Sequence, residues 1–250
     1  MATAYDRIGR GYTLTRQPDP RIGAMITEAL GDVRSVVNVG AGTGSYEPAQ
    51  MAVVAVDPSI EMIRQRPIGA APAVLARAES LPFRRRSFDA ALALLTIHHW
   101  TSIAAGLTEL RRVATRRVVI FTYDPACADR FWLASHYLPE IIDLDRKRVP
   151  TLGQLQEWLG EIEIRQVPIP RDCKDGFQGA FWQKPEAYLD PVVRSGISTF
   201  AHLPSSAVDR GLAQLSDDLR SGRWEELFGH LRTQDSADLG YRLVIAKPGP

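Results

Sequence analysis

SVVNVGAGTGSYEP (residues 35–48) sets an apolar, β-branched run directly against three glycines spaced one apart, Gly40, Gly42 and Gly44. Glycine tolerates backbone conformations closed to other residues and carries no Cβ, so such a turn lets a backbone approach a ligand closely. The pattern continues outward on the C-terminal side. AVVAV (52–56), AVLARA (73–78), FDAALALL (88–95) and RVVIFTY (117–123) repeat the nearly continuous apolar character of SVVNV (35–39). Strands buried on both faces read this way. SIEMIRQR (59–66) and TSIAAGLTELRRVA (101–114) read as helices between them, the second with Ile103, Leu107, Leu110 and Val113 on one face. Strand and helix in alternation predict a parallel, doubly wound sheet. Only 13 positions separate Val39 from Ala52, so the expected helix there, around Tyr46 to Met51, is a turn or two long.

Beyond the fifth strand the pattern changes. ACADRFWLASHYLPEIIDL (126–144) is expected to be helical, and TLGQLQEWLG (151–160) a compact helix opened by Thr and closed by Gly. EIRQVPIP (163–170) and GYRLVIAKP (240–248) read as strands. The roughly seventy residues between them exceed an ordinary connection and are expected to form a helical cap over the C-terminal edge of the sheet. The resulting division is 1–34 as an N-terminal helical lid, 35–125 as core, 126–150 as a cap helix insertion, 151–169 as core helix and strand, 170–239 as the cap, and 240–250 as final strand and tail.

Composition narrows the classes of function. The chain has 250 residues, 45% hydrophobic and 24% charged, with a net charge of +1, which gives no electrostatic reason to expect nucleic acid or an anionic membrane as partner. Its basic clusters, FRRRS (83–87) and RRVATRR (111–117), fall on a turn and a helix end and read as solvated surface. No apolar run approaches the ~20 residues of a membrane span, and MATAYDRIGRGY lacks a secretory apolar region. Cys127 and Cys173 form no paired motif, so both are expected as reduced thiols in a cytoplasmic protein, with no metal site.

The glycine turn suits an adenine-nucleoside cofactor. A dinucleotide fingerprint would read GxGxxG with an acid about 20 residues on. Here the spacing is GxGxG, Ser45 stands where the third dinucleotide glycine belongs, and Asp57 lies 13 residues beyond Gly44. An acid at the end of the second strand is placed to accept hydrogen bonds from both ribose hydroxyls. The short crossover fits a ligand without a pyrophosphate, which counts against a nicotinamide-dependent oxidoreductase.

VNVGAGTGSYEP, AVDPS, ARAESLPF, SFDAALALLTIHHW and GLTELRRVATRRVVIFTYDP resemble, in order, the successive motifs of class I S-adenosylmethionine-dependent methyltransferases, in the small-molecule branch called the type-11 methyltransferase domain. The resemblance covers about Val36 to Pro125, with Tyr241 to Lys247 similar to the family's final antiparallel strand. It implies a Rossmann-like α/β/α sandwich with a mostly parallel seven-stranded sheet, the last strand antiparallel, plus helical cap insertions. It also implies a cofactor, S-adenosyl-L-methionine, leaving as S-adenosyl-L-homocysteine. By the family pattern, Gly40, Ala41, Gly42 and Gly44, with Asn38 beside them, form the turn under the methionine part. Asp57 and Pro58 meet the ribose, and Ser59 to Met62 lie beside the adenine. Ala78 and Glu79 line the adenine pocket, and Thr96, Ile97 and His98 pass the transferable methyl. The chain departs from the pattern at Val39 and at Arg77, where acidic residues are common. A segment ahead of the first strand folds over the cofactor in similar enzymes, which makes Tyr12 and Arg16 the candidates for its carboxylate, a guanidinium matching it with two hydrogen bonds. Both residues read equally as a solvated surface.

The resemblance implies methyl transfer to a small-molecule acceptor, on oxygen, nitrogen or carbon. An acceptor that must lose a proton needs a base, and histidine has a suitable pKa. His98 and His99 in TIHHW are the candidates, His98 first. His136 and Tyr137, with Phe177 and Trp182, are the candidate acceptor contacts, each with ordinary core packing as the alternative. A monomer or homodimer is expected. A protein that binds the cofactor without methylating, for regulation or cyclisation, stays open as the rival on the same scaffold.

Overall fold

The alternation in residues 35–123 becomes one side of a seven-stranded sheet in the computed structural model, which describes residues 16–249. The strands are β1 (Ser35–Val39), β2 (Ala52–Asp57), β3 (Ala73–Leu75), β4 (Phe88–Leu94), β5 (Ala114–Tyr123), β6 (Ile162–Gln166) and β9 (Tyr241–Ala246), in the order β3-β2-β1-β4-β5-β9-β6. β9 runs antiparallel to β5 and β6, while the other neighbouring pairs are parallel. Two short strands, β7 (Ile169–Pro170) and β8 (Ser236–Ala237), pair separately. This is the fold class the sequence implied.

Burial explains the unbroken apolar runs. Along β5, Val119 and Phe121 join the core on one side of the sheet, and Val118 and Ile120 the core on the other. β4 divides likewise, with Ala90 and Leu92 on one side and Ala91 and Ala93 on the other. Alternate side chains point to opposite faces, so a strand covered on both must be apolar throughout. Helix α1 (Pro20–Leu30) covers the first face with Ile22, Ile26, Ala29 and Leu30. It lies against β5 and β9. That part of the 1–34 segment is therefore a layer of the sandwich rather than a lid. After α2 (Ile60–Arg64), helix α3 (Ile103–Val113) covers the second face with Leu107, Leu110 and Val113.

Four expected elements differ in shape. Tyr46 to Met51 forms turns rather than a helix, because Tyr46 has a left-handed φ of 62° and Pro48 cannot donate a backbone hydrogen bond. The segment 126–144 is not one helix but a 3-10 turn (Pro125–Arg130), a π turn (Leu133–Tyr137) and helix α4 (Glu140–Arg148). Ahead of Pro139, Leu138 is held out of the helical region, with φ −133° and ψ 65°, which ends the π turn. The expected strand 163–170 is cut at Pro168 into β6 and β7: β6 is the edge strand, paired only with β9, and Pro168 has no N–H with which to extend that ladder. β3 stops at Leu75, and Arg77 pairs with Ser80 as an isolated bridge. Helix α5 (Leu152–Leu159) starts with the expected Thr151 cap, made reciprocal by Gln154, and ends at Gly160.

Residues between β7 and β8 carry α6 (Pro191–Ser195), α7 (Ser205–Ser221) and α8 (Arg223–Phe228) with 3-10 turns between. They enclose an aromatic core in which the Trp132 ring lies 5.5 Å from Trp224 and 5.6 Å from Tyr188, both edge to face. Cys127 and Cys173 are both buried free thiols. Among the described residues no helix is long and apolar enough to cross a membrane.

Candidate active site

The strand order reverses between β1 and β4, and open α/β sheets bind ligands outside the carboxyl ends of strands at such a point. A cavity of about 210 Å³ lies there. The turn after β1 forms its floor. Gly40 and Ala41 both donate to the carbonyl of Val56, at 2.8 and 3.0 Å. Gly40 has φ 73°, and a Cβ there would collide with Thr96 Oγ1 and lie 2.8 Å from the Thr96 Cβ. Gly42 has φ 53° and donates to Asp57 Oδ2 at 2.7 Å. Gly40, Ala41 and Gly42 line the cavity. Gly44 does not: its α-carbon faces Arg66 and Glu47, and its contribution is a φ of 96° within the turn.

Asp57 ends β2, buried, with Oδ2 on Gly42 and Oδ1 accepting from Ser59 N at 2.8 Å. One carboxylate thus fixes the glycine turn to the start of α2, where the Ser59 hydroxyl caps Met62 N. Asp57, Pro58, Ser59 and Met62 form one wall, and Arg77, Ala78 and Glu79 continue it. Glu79 is tied to the next helix, accepting from Ser102 N at 3.0 Å. Asn38 reaches the cavity from β1, donating through Nδ2 to Glu47 at 3.2 Å. Its Oδ1 is buried and has no hydrogen-bond partner among the described residues.

The end of β4 separates the four residues expected near the methyl. Thr96 lines the cavity. Ile97 does not: its side chain is fully buried in the core on the α3 face. His98 lines a second, adjoining cavity of about 90 Å³, whereas His99 lines both. Leu95, just ahead, holds a left-handed φ of 49°. A β4 exit so constrained, and Tyr46 opposite with its own positive φ, place two uncommon backbone conformations on the same cavity.

The two imidazoles differ in what they can do. Burial, with Arg148, His202 and Arg16 nearby, pushes His98 down to about 3. Burial and the neighbouring His98 and Arg148 push His99 well below its ordinary value. Both rings are therefore neutral near pH 7. Arg148 Nη2 lies 3.2 Å from His99 Nδ1. A guanidinium only donates, so Nδ1 accepts and the ring proton sits on Nε2. The expectation of His99 as base therefore meets a lone pair already engaged by Arg148.

Arg16 stands where the two cavities meet. Its Nε lies 2.5 Å from Asp175 Oδ1, and Nη2 is 3.2 Å from Oδ2. Asp175, fully buried, also accepts from the Tyr46 hydroxyl at 3.0 Å, and that hydroxyl accepts from Asp19 N at 3.2 Å. The chain before α1, the glycine turn and the cap thus close on one carboxylate. Tyr12 lies outside the described residues.

Of the expected acceptor contacts, Phe177 lines the second cavity. His136, Tyr137 and Trp182 line neither. His136 lies on the cap surface 3.9 Å from Asp218, and the buried Tyr137 donates to the same carboxylate at 2.9 Å. Trp182 is fully buried and donates to the carbonyl of Pro170. Four residues the sequence did not single out face the cavities: Arg148 and His202 on the first, and Asp145 and Tyr241 on the second. Arg148 and Asp145 share a face of α4, and nothing local in EIIDLDRKR distinguishes them from a solvated helix end.

A family profile described as a methyltransferase domain matches residues 37–121. A solved structure from Anabaena variabilis, assigned as a methyltransferase from an antibiotic biosynthesis pathway, is similar across 93% of this chain and 98% of its own, with 31% identity and a TM-score of 0.86. The chain belongs to the class I S-adenosylmethionine-dependent methyltransferases. The family's fold recurs at lower identity. Phosphoethanolamine N-methyltransferase 2 of Haemonchus contortus, solved with S-adenosyl-L-methionine, is 15% identical with a TM-score of 0.56, over 94% of this chain and 54% of that one. The [4+2]-cyclase SpnF is 17% identical with a TM-score of 0.51, over 91% of this chain and 79% of that one. No curated protein matches the chain.

Proposed function

We propose that this methyltransferase binds S-adenosyl-L-methionine in the first cavity and methylates a small-molecule acceptor that enters through the second. The observation that carries this reading is the junction of Gly42, Asp57 and Ser59, which puts a buried carboxylate on the cavity wall 2.7 Å from the glycine turn. A carboxylate so held suits the vicinal hydroxyls of a ribose. Met62 and Ala78 offer apolar surface for an adenine. The unpartnered Asn38 Oδ1 is an acceptor suited to an ammonium group.

When bound, the cofactor supplies a methyl group already activated by its sulfonium. The protein's part is to align the acceptor and exclude water. Thr96 and the glycine turn fix the floor, His99 and Arg148 stand between the cavities, and Arg16 is held at the same boundary by Asp175.

Calorimetric titration of the wild type and Asp57→Ala with S-adenosylmethionine, S-adenosylhomocysteine and NADH tests the binding half. Micromolar affinity for the first two, lost in the variant and absent for NADH, supports it. Binding of NADH alone overturns it. Conversion of S-adenosylmethionine to S-adenosylhomocysteine in step with acceptor consumption separates methylation from a cyclase role such as SpnF's name gives, in which the cofactor would persist.

A further inference from the structure

The second cavity has a composition of its own. Tyr123, Phe177 and Tyr241 line it, with ring centroids 4.8 Å apart for Phe177 and Tyr241 and 5.8 Å for Tyr123 and Tyr241. The rings are tilted and pack on one another, so together they present one aromatic wall against which a ring-bearing guest can pack offset or edge to face. The cavity shares Arg16, Leu95, His99 and Arg148 with the first, so a guest reaches the cofactor site across that common wall.

Asp145 supplies its only lining carboxylate among the described residues. It is half-buried on α4, three residues before Arg148 and so on the same helix face. Its carboxylate accepts no hydrogen bond among the described residues, unlike Asp57, Asp175 and Glu79. The titratable and charged groups around the cavity are Arg148 on the same helix, Tyr123 on β5, Tyr241 on β9, His98 and His99 after β4, and Arg16 ahead of α1. The 3-10 turn that packs on α4 adds Cys127, Asp129 and Arg130, and the π turn that packs on it adds His136 and Tyr137. Arg16 is committed to Asp175. That leaves the Arg148 guanidinium beside the Asp145 carboxylate in the lining. A hydroxyl that reacts as an anion would find a proton acceptor in Asp145 and a cation facing the developing charge in Arg148, from which a protonated amine gains nothing.

Taking the first cavity as the S-adenosylmethionine site, we propose that the second admits an acceptor with an ionisable hydroxyl on a planar ring, a phenol or enol, and that Asp145 is the catalytic base that removes its proton. The hydroxyl proton passes to Asp145 Oδ. The oxygen's electron pair forms the bond to the methyl carbon, the carbon–sulfur pair stays with sulfur, and the products are a methyl ether and a neutral thioether. The protonated Asp145 then returns its proton to solvent. Arg148 offsets the developing oxyanion.

Burial pushes Asp145 up to about 7, against the pull of Arg148, which is where a general base works best near neutrality. His98, pushed down to about 3, is too weak a base to compete. Tyr123 and Tyr241, raised by burial, keep their protons.

The test compares wild type and Asp145→Asn at pH 8 with S-adenosylmethionine and three probes: catechol, the more acidic 4-nitrophenol, and benzylamine. Methyl products are read by mass spectrometry and S-adenosylhomocysteine affinity by calorimetry. Wild type should methylate the phenols and not benzylamine. Asp145→Asn should lose on the order of 10²-fold or more in kcat/KM with catechol, but far less with 4-nitrophenol, which is already ionised. Its S-adenosylhomocysteine affinity should stay unchanged, and the rise of kcat/KM through about pH 7 should vanish. Equal losses on both phenols, an unchanged rate with catechol, preference for benzylamine, or cofactor binding with no phenol turned over would each overturn the proposal. Failure of the wild type to bind S-adenosylmethionine at all would instead refute the cofactor reading beneath it.

Discussion

Gly40→Ala isolates what the glycine turn contributes. Two costs arise at this position. An L side chain at φ 73° pays the left-handed penalty, about 1–2 kcal/mol. The new Cβ also collides with Thr96 Oγ1 and lies 2.8 Å from both Thr96 Cβ and Cγ2, a backbone-anchored neighbour that cannot swing aside. Overpacking of that kind costs about 1–3 kcal/mol. The sum, about 2–5 kcal/mol, is a large part of a typical domain's stability of about 5–15 kcal/mol. Gly42→Ala is the control. Its φ is 53°, but the nearest atom is Met62 Cε at 3.2 Å, the far end of a flexible chain, so only the backbone penalty should remain. Urea denaturation of both variants, and of Gly40→Ala in a Thr96→Gly background, measures the difference. The double variant should recover the steric share, a coupling of about 1–3 kcal/mol. A Gly40→Ala cost no larger than that of Gly42→Ala, or no coupling to Thr96, would refute the reasoning.

Three further outcomes follow from buried or capped groups. Arg16→Met leaves the buried Asp175 carboxylate without its guanidinium and should cost about 3–5 kcal/mol in denaturant unfolding, most of it regained in Arg16→Met/Asp175→Leu. Asp145 titrates at about 7 in the folded protein against an ordinary value of 3.8, so its ionisation favours the unfolded chain and stability declines as pH rises through that interval. Asp145→Asn should accordingly raise Tm at pH 8 and leave it unchanged near pH 4, by differential scanning calorimetry. Thr151→Ala removes the capping box of α5 and should lower stability by about 1 kcal/mol in the same measurement.

The sheet was legible because burial on both faces imposes a continuous apolar code that β1, β2, β4, β5 and β9 all carry. The wall from Asn38 to Asp57 was legible for a different reason: its residues are close in the chain and their spacing is set by one turn and one strand. Asp145, Tyr241 and His202 were not, because each comes from an element whose packing partner lies far away in sequence. Aromatic residues in the cap could be counted but not aimed. Phe177 faces the second cavity while Trp182, five residues on, is fully buried away from both cavities and donates to the carbonyl of Pro170. The segment 126–144 misled through periodicity, since Pro139 breaks an otherwise helical pattern into short turns.

A crystal structure of the S-adenosylhomocysteine complex tests the central claim most directly. The account predicts the ribose hydroxyls on Asp57, the adenine beside Met62 and Ala78, and the amino group within hydrogen-bond reach of Asn38 Oδ1, with the sulfur toward the wall shared with the second cavity. Ligand bound away from Asp57, or a ribose held by other groups while Asp57 bonds only to Gly42 and Ser59, would contradict it.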